Sequence, residues 1–150
     1  MSTEEHNLQT LWHSHFPLSK AMGLSVISFQ EHVLTTMSPL AANTNIHDTA
    51  FAGSLYAQQA MTAWGLLYLE IARAGLDASL IHADGEIKFH KTLTSDIYAT
   101  SDFNGLEAHL DELAEKGKTR LTLEAQAGSG EPGSDPASTF VGTYVARLAQ

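Results

Sequence analysis

The sequence predicts an α+β fold in which a curled antiparallel sheet wraps one long helix. The first observation is the segment 51–74, whose only charged side chains, Glu70 and Arg73, fall in its last turns. A helix apolar on every face is a membrane span or the axis of a core. The second is that Gln58, Gln59, Thr62, Gly53 and Gly65 break the apolar run below the roughly 18 residues a span needs, and buried amides would lack partners in lipid. The third is that strand-like alternation flanks the helix on both sides, which supplies a sheet to bury it.

Taken in order, residues 1–17 form an N-terminal helical segment. Thr3 can cap it, Glu4 and Glu5 suit its positive end, and Leu8, Leu11, Trp12 and His15 recur at helical spacing. Pro17 stops it, and a short turn over 18–22 ends at Gly23. Residues 24–29 and 33–37 read as a hairpin that Pro39 closes. The loop 39–50 is rich in Asn and Thr, and Asp48 and Thr49 are expected as N-caps of the central helix 51–74. That helix spans about 36 Å at ~1.5 Å per residue, with Gly75 in the C′ position.

Residues 80–91 alternate, with Ile81, Ala83, Gly85, Ile87 and Phe89 on one face and His82, Asp84, Glu86, Lys88 and His90 on the other. A half-buried strand with its apolar face inward follows. A strand is expected over 96–103, a charged helix over 106–116 ended by Gly117, and a strand over 120–127. Residues 128–136 are a Gly, Ser and Pro turn, and 139–148 close the chain as a strand. No repeat or linker divides the chain, so 1–150 is read as one domain.

A hydrophobic content of 43% against 17% charged residues argues for a packed core. The net charge of -9 argues against nucleic acid or an anionic membrane as main partner, so an anionic ligand needs a local basic site. Cysteine is absent, which excludes thiolate catalysis and disulfides. The acidic N-terminus has no signal-peptide pattern, and a cytoplasmic location is expected. Exposed sheet edges predict a homodimer, with a dimer of dimers also open.

The block Asn43-Thr-Asn-Ile-His-Asp-Thr-Ala-Phe-Ala-Gly-Ser-Leu-Tyr, running into Ala63-Trp-Gly-Leu-Leu, resembles the hotdog-fold putative thioesterase domain at the C-terminus of bacterial YiiD proteins. Glu86-Ile-Lys-Phe-His-Lys, Asp96 and Phe140-Val-Gly-Thr-Tyr-Val-Ala extend the likeness, which runs from about Leu18 to the end. It implies a hotdog fold and an acyl-thioester ligand, carried on coenzyme A or acyl carrier protein; no further cofactor is expected, and no metal, since the polar strand face of His82, Asp84, Glu86 and His90 would need matching ligands from elsewhere. Two family glycines are replaced by Asp48 and Ala52, and Ala60 stands nine residues after Phe51, where better studied hotdog thioesterases place a helix carboxylate.

The start of the central helix is the best candidate for chemistry, because its free N–H groups and positive dipole favour a developing oxyanion. Gly53 would let a thioester carbonyl approach the backbone. Asn45, His47 and Asp48 crowd the same point and could orient water, with His47 as general base, alone or paired with Asp48. Capping and side-chain turns account equally well for Asp48, Thr49 and the asparagines, but not for His47. Thr49, Phe51, Ser54, Gln58 and Gln59 are expected to line the substrate site. Gln58 and Gln59 would face a cavity or bond to a neighbouring strand.

Lys88, His90 and Lys91 form the densest basic cluster, suited to carrier phosphates or simply to edge protection. His13 and His15 cannot share a helix face, and His6, His32 and His109 read as surface residues. The reading is an acyl-thioester hydrolase acting in a dimer. The alternatives are a non-catalytic acyl-binding or regulatory module, favoured by the missing helix acid, and an acyl-thioester hydratase or dehydratase.

Overall fold

The apolar central segment is a helix with a sheet folded around it in the computed structural model, which describes residues 1–150. The elements are α1 Thr3–His15, α2 Pro17–Ala21, β1 Ser25–Gln30, β2 Val33–Ser38, a 3-10 turn Leu40–Ala42, α3 Ala52–Arg73, β3 Ala78–Phe89, β4 Ile97–Asp102, α4 Ala108–Lys116, β5 Lys118–Gly128 and β6 Ser138–Leu148. The six strands pair antiparallel in the order β1-β2-β4-β5-β6-β3. Alternation sets which side chains meet the helix: Leu34 of β2, Leu121 and Leu123 of β5 and Phe140 of β6 close on Ala63, Leu66 and Leu67 of α3, all buried. No helix is long and apolar enough to cross a membrane.

α1 covers one edge of this sheet. Its N-cap is Ser2, not the expected Thr3, because Ser2 and Glu5 satisfy each other in a capping box. The other Glu5 oxygen accepts from Phe29 N–H (2.9 Å), Gln9 Oε1 accepts from Val26 N–H (2.9 Å), and His13 Nε2 donates to the Leu24 carbonyl (2.7 Å). Residues 5, 9 and 13 share one face of the helix, so three side chains stand in for a neighbouring strand along β1. The other edge, β3, pairs only with β6 and has no such cover. Glu5→Ala and Gln9→Ala are each expected to cost about 1–2 kcal/mol in urea unfolding, because each bares a backbone N–H. Stabilities unchanged in both would mean the β1 edge is not held this way.

The β1–β2 hairpin turns through Glu31 (φ 52) and His32 (φ 67), the left-handed pair of a type I′ turn built here without glycine. The His32 ring lies 2.7 Å from a Glu70 carboxylate oxygen that is otherwise buried, so His32 is a core-closing partner as well as a surface residue. At the far end of α3, Gly75 (φ 75) donates to Ala72 O and Leu76 to Ile71 O, the double bond of a Schellman cap.

Two expectations are corrected. Neither Asp48 nor Thr49 caps α3: the N-cap is Phe51 in extended geometry, with no side-chain cap, because the Thr49 hydroxyl is engaged with Asn45. In β3 the pairing with β6 shifts between His82 and Asp84, so an extra residue at Ala83 resets the alternation. Ile81 is therefore 54% exposed, and His82 turns inward to stack on Tyr144 (4.5 Å, 19°).

Candidate functional site

The loop before α3 is organised by Asn45. Its Oδ1 accepts from the N–H groups of His47 (2.9 Å) and Thr49 (3.2 Å) and from the Thr49 hydroxyl (3.1 Å). Its Nδ2 donates to Thr49 Oγ1 (2.8 Å) and reaches the Ala50 carbonyl (3.5 Å). Backbone bonds from Ala50 to Leu93 O and from Phe51 to Asn43 O (2.8 Å each) tie the loop to the segment after β3, and buried Asn43 anchors it to Met22 and Pro39. An amide suits this place because one side chain must both donate and accept.

The first intrahelical bond of α3 runs from Leu55 N–H to Phe51 O (3.1 Å), so the N–H groups of Ala52, Gly53 and Ser54 precede it with no side chain to cap them. The Phe51 ring folds back over this turn. A Cβ on Gly53 would stand 2.4 Å from the ring, so glycine is what allows the aromatic to lie on the backbone there.

Beside this helix end is a solvent-open cleft of about 670 Å³, lined by Asn45, Thr49, Ala52, Phe89, His90 and Lys91 among others. The fold thus brings the loop residues Asn45 and Thr49 against the basic pair His90 and Lys91, which lie some forty residues on. His90 Nε2 is bonded to Thr139 Oγ1 (2.9 Å), which orients its ring. In a chain of net charge -9 the Lys91 cation and the helix dipole make the cleft a place for negative charge.

The other predicted residues are placed differently. His47 and Asp48 are exposed at the loop tip, Asp48 with φ 58, and no hydrogen bond or ion pair joins them, so the expected pairing is absent. Lys88 is exposed one step back on β3, and Gly53 and Ser54 sit in the first turn of α3. Gln58 is turned away from the cleft: its amide donates to Thr36 Oγ1 (3.2 Å) and Ile97 O (3.1 Å) and accepts from the Ser38 hydroxyl. Gln59 bonds Leu55 O (3.0 Å) and Ser138 Oγ (2.7 Å), which leaves its buried Oε1 without a partner.

Phe89 and Leu93 as cleft walls escape a reading of the sequence, since apolar residues at a strand end carry no mark of their location. At Ala60 the carbonyl accepts from the Tyr144 hydroxyl (2.8 Å). Burial, with Tyr56 beside it, pushes the Tyr144 phenol well above its ordinary pKa, so it remains a donor.

Comparison with known proteins agrees with this fold. Residues 5–148 match the family described as putative thioesterase (YiiD C-terminal). A protein of unknown function from Chlorobaculum tepidum superposes with a TM-score of 0.88 at 29% identity, covering 97% of this chain and 94% of that one. A putative thioesterase from Shewanella oneidensis gives 0.88 at 28%, covering 98% and 99%. A probable thioesterase from Pseudomonas aeruginosa, at 0.78, 18% identity, and coverage of 99% and 97%, shares the hotdog fold.

Proposed function

Because this chain belongs to the YiiD C-terminal putative thioesterase family, we propose that it binds an acyl thioester in the cleft at the start of α3 and hydrolyses it. The observation that carries the reading is the uncapped first turn of α3 beside the Asn45-organised loop. The thioester carbonyl oxygen sits against the N–H groups at Gly53 and Ser54, which stabilise the oxyanion as water adds to the carbonyl carbon. The carbon–sulfur bond then breaks, and the carboxylic acid and the protonated thiol leave.

Asn45 holds the loop, and His47, with Asp48 next to it, takes the proton from water at the loop tip. Thr49, Phe51 and Ser54 border the reacting group, while Lys88, His90 and Lys91 receive the phosphates of the carrier. Two copies pair along the uncovered β3 edge to complete the cleft, in the cytoplasm. Purified protein incubated with acyl thioesters of graded length and a thiol-trapping dye is expected to release thiol. His47→Ala and Asp48→Asn are expected to lower turnover about tenfold or more with the melting temperature unchanged. Full activity in both variants would remove them from the mechanism.

A second reading is favoured by one observation: α3 has no charged side chain before Glu70, and the exposed His47 and Asp48 are not paired. On that reading the protein binds acyl thioesters without turnover. Thermal stabilisation by a thioester with no thiol released would select it.

A further inference from the structure

Half of the lysines and arginines gather at the end of the sheet far from the cleft. Of the eight in the chain, Arg73 is paired with Glu4, Lys20 lies in α2, and Lys88 and Lys91 stand at or beside the cleft. The other four are Lys116, Lys118, Arg120 and Arg147, all exposed and none in an ion pair. Lys118 pairs directly with Arg147 in the β5–β6 register, and Arg120 follows two residues on. The three side chains therefore leave the same face of the sheet, the one opposite Leu121 and Leu123 and turned away from α3. Like charges directly opposite one another destabilise a ladder. Acidic residues outnumber basic ones by 17 to 8, yet none stands within ion-pair distance of these three.

Neutral donors stand beside the cations. Thr122 pairs with Thr143 on the same face, and both line, with Arg120, His109 and Leu106, an open groove of about 680 Å³. His109 Nδ1 is held 3.0 Å from the Thr119 hydroxyl oxygen, and no hydrogen bond engages its Nε2. The groove and the cations are separate from the cleft. Ser138 pairs with Phe89 at the cleft wall, and Arg147 lies about 30 Å further along β6 at ~3.3 Å per residue. We propose that this face is a second anion site, built for a diphosphate group carried by a small molecule.

A diphosphate offers several negative charges and many acceptor oxygens in one compact group. Arg120 and Arg147 present planar forks to such oxygens, Lys118 adds a point charge, and the Thr122 and Thr143 hydroxyls serve the oxygens that remain. A single carboxylate has one charge and two oxygens, which would leave most of the repulsion among the three cations unrelieved. The site owes nothing to the thioester reading, so each stands or falls without the other.

The test uses the full chain in low salt, with inorganic pyrophosphate, ADP and adenosine as probes, read by calorimetry and by backbone amide resonances. Pyrophosphate and ADP are expected to bind saturably and to move the amides of residues 118–122 and 143–147, and adenosine to move none. Arg120→Gln and Arg147→Gln are each expected to weaken pyrophosphate at least about tenfold, whereas Lys91→Gln at the cleft changes it less than about twofold. ADP held more tightly than pyrophosphate places a nucleoside in the groove, and equal affinities make the diphosphate the whole ligand; either result supports the proposal. No saturable binding, binding lost only with Lys91→Gln, shifts confined to residues 88–93, or equal shifts with adenosine overturns it. A second measurement needs no ligand. Arg147→Gln removes the opposed pair, so it is expected to raise the melting temperature by about 1–3 °C in low salt. That gain shrinks in about 0.5 M salt, where the wild-type repulsion is screened. A melting temperature lowered by the substitution in low salt would show that the cations do not oppose one another, and would overturn the proposal.

Discussion

Asn45→Ala is expected to reduce kcat/KM for acyl-thioester hydrolysis by about 100-fold while lowering the melting temperature by only a few degrees. The residue accepts from two backbone N–H groups and exchanges hydrogen bonds with Thr49 on an exposed loop. Its loss frees the loop between residues 44 and 50 without opening the core. The cleft wall made by Asn45 and Thr49 then no longer stands at a defined distance from the first turn of α3. Small misplacements of an oxyanion site have large rate effects, which is why the activity cost outweighs the stability cost.

Asn45→Asp separates the two halves of the amide. It keeps the acceptor oxygens for His47 and Thr49, loses the donor to Thr49 and Ala50, and sets a negative charge on the wall of the cleft. Its activity is expected to fall as far as that of the alanine variant, with a smaller change in melting temperature. An Asn45→Ala enzyme within about threefold of wild type would show that the loop does not position the reaction.

Trp12→Ala is expected to be the most destabilising single change, at about 3–5 kcal/mol, or roughly 10 °C in melting temperature at 2–4 °C per kcal/mol. The side chain is fully buried between α1 and α3, so its removal leaves a cavity and frees the helix that covers the β1 edge. Its counterpart is Gly65, where a Cβ would stand 2.5 Å from the Trp12 ring and 3.0 Å from a Leu8 methyl. In an open helix Gly→Ala gains up to about 1 kcal/mol. Here overpacking against a ring that cannot retreat costs about 1–3 kcal/mol, so the sign reverses. Gly65→Ala combined with Trp12→Phe is expected to lose less than the two singles added, because the smaller ring makes room. Thermal melts of the four proteins check the cycle, and strict additivity would mean the two residues do not press on each other.

The central helix was legible because its cause is local: an apolar run with Gly75 after it marks its extent to within one residue at each end. The strands after residue 95 followed for the same reason, since alternation is written along the chain. The candidate site was legible only in part. Asn45, Thr49, His90 and Lys91 do gather at one cleft, but residue type alone could not separate an organising Asn45 from a capping Asp48 or Thr49. That choice depends on which backbone groups the loop geometry leaves unmet.

The axis of the molecule, the flanking strands and the absence of a carboxylate at Ala60 are all written in residue order. That α1 shields the β1 edge, that Gln58 serves the sheet and not the cleft, and that His82 faces inward emerges only from packing in three dimensions. The difference is one of range. Periodicity and capping act between residues a few positions apart, whereas the shift at Ala83 turns His82 toward Tyr144, a partner sixty residues away that no local pattern announces.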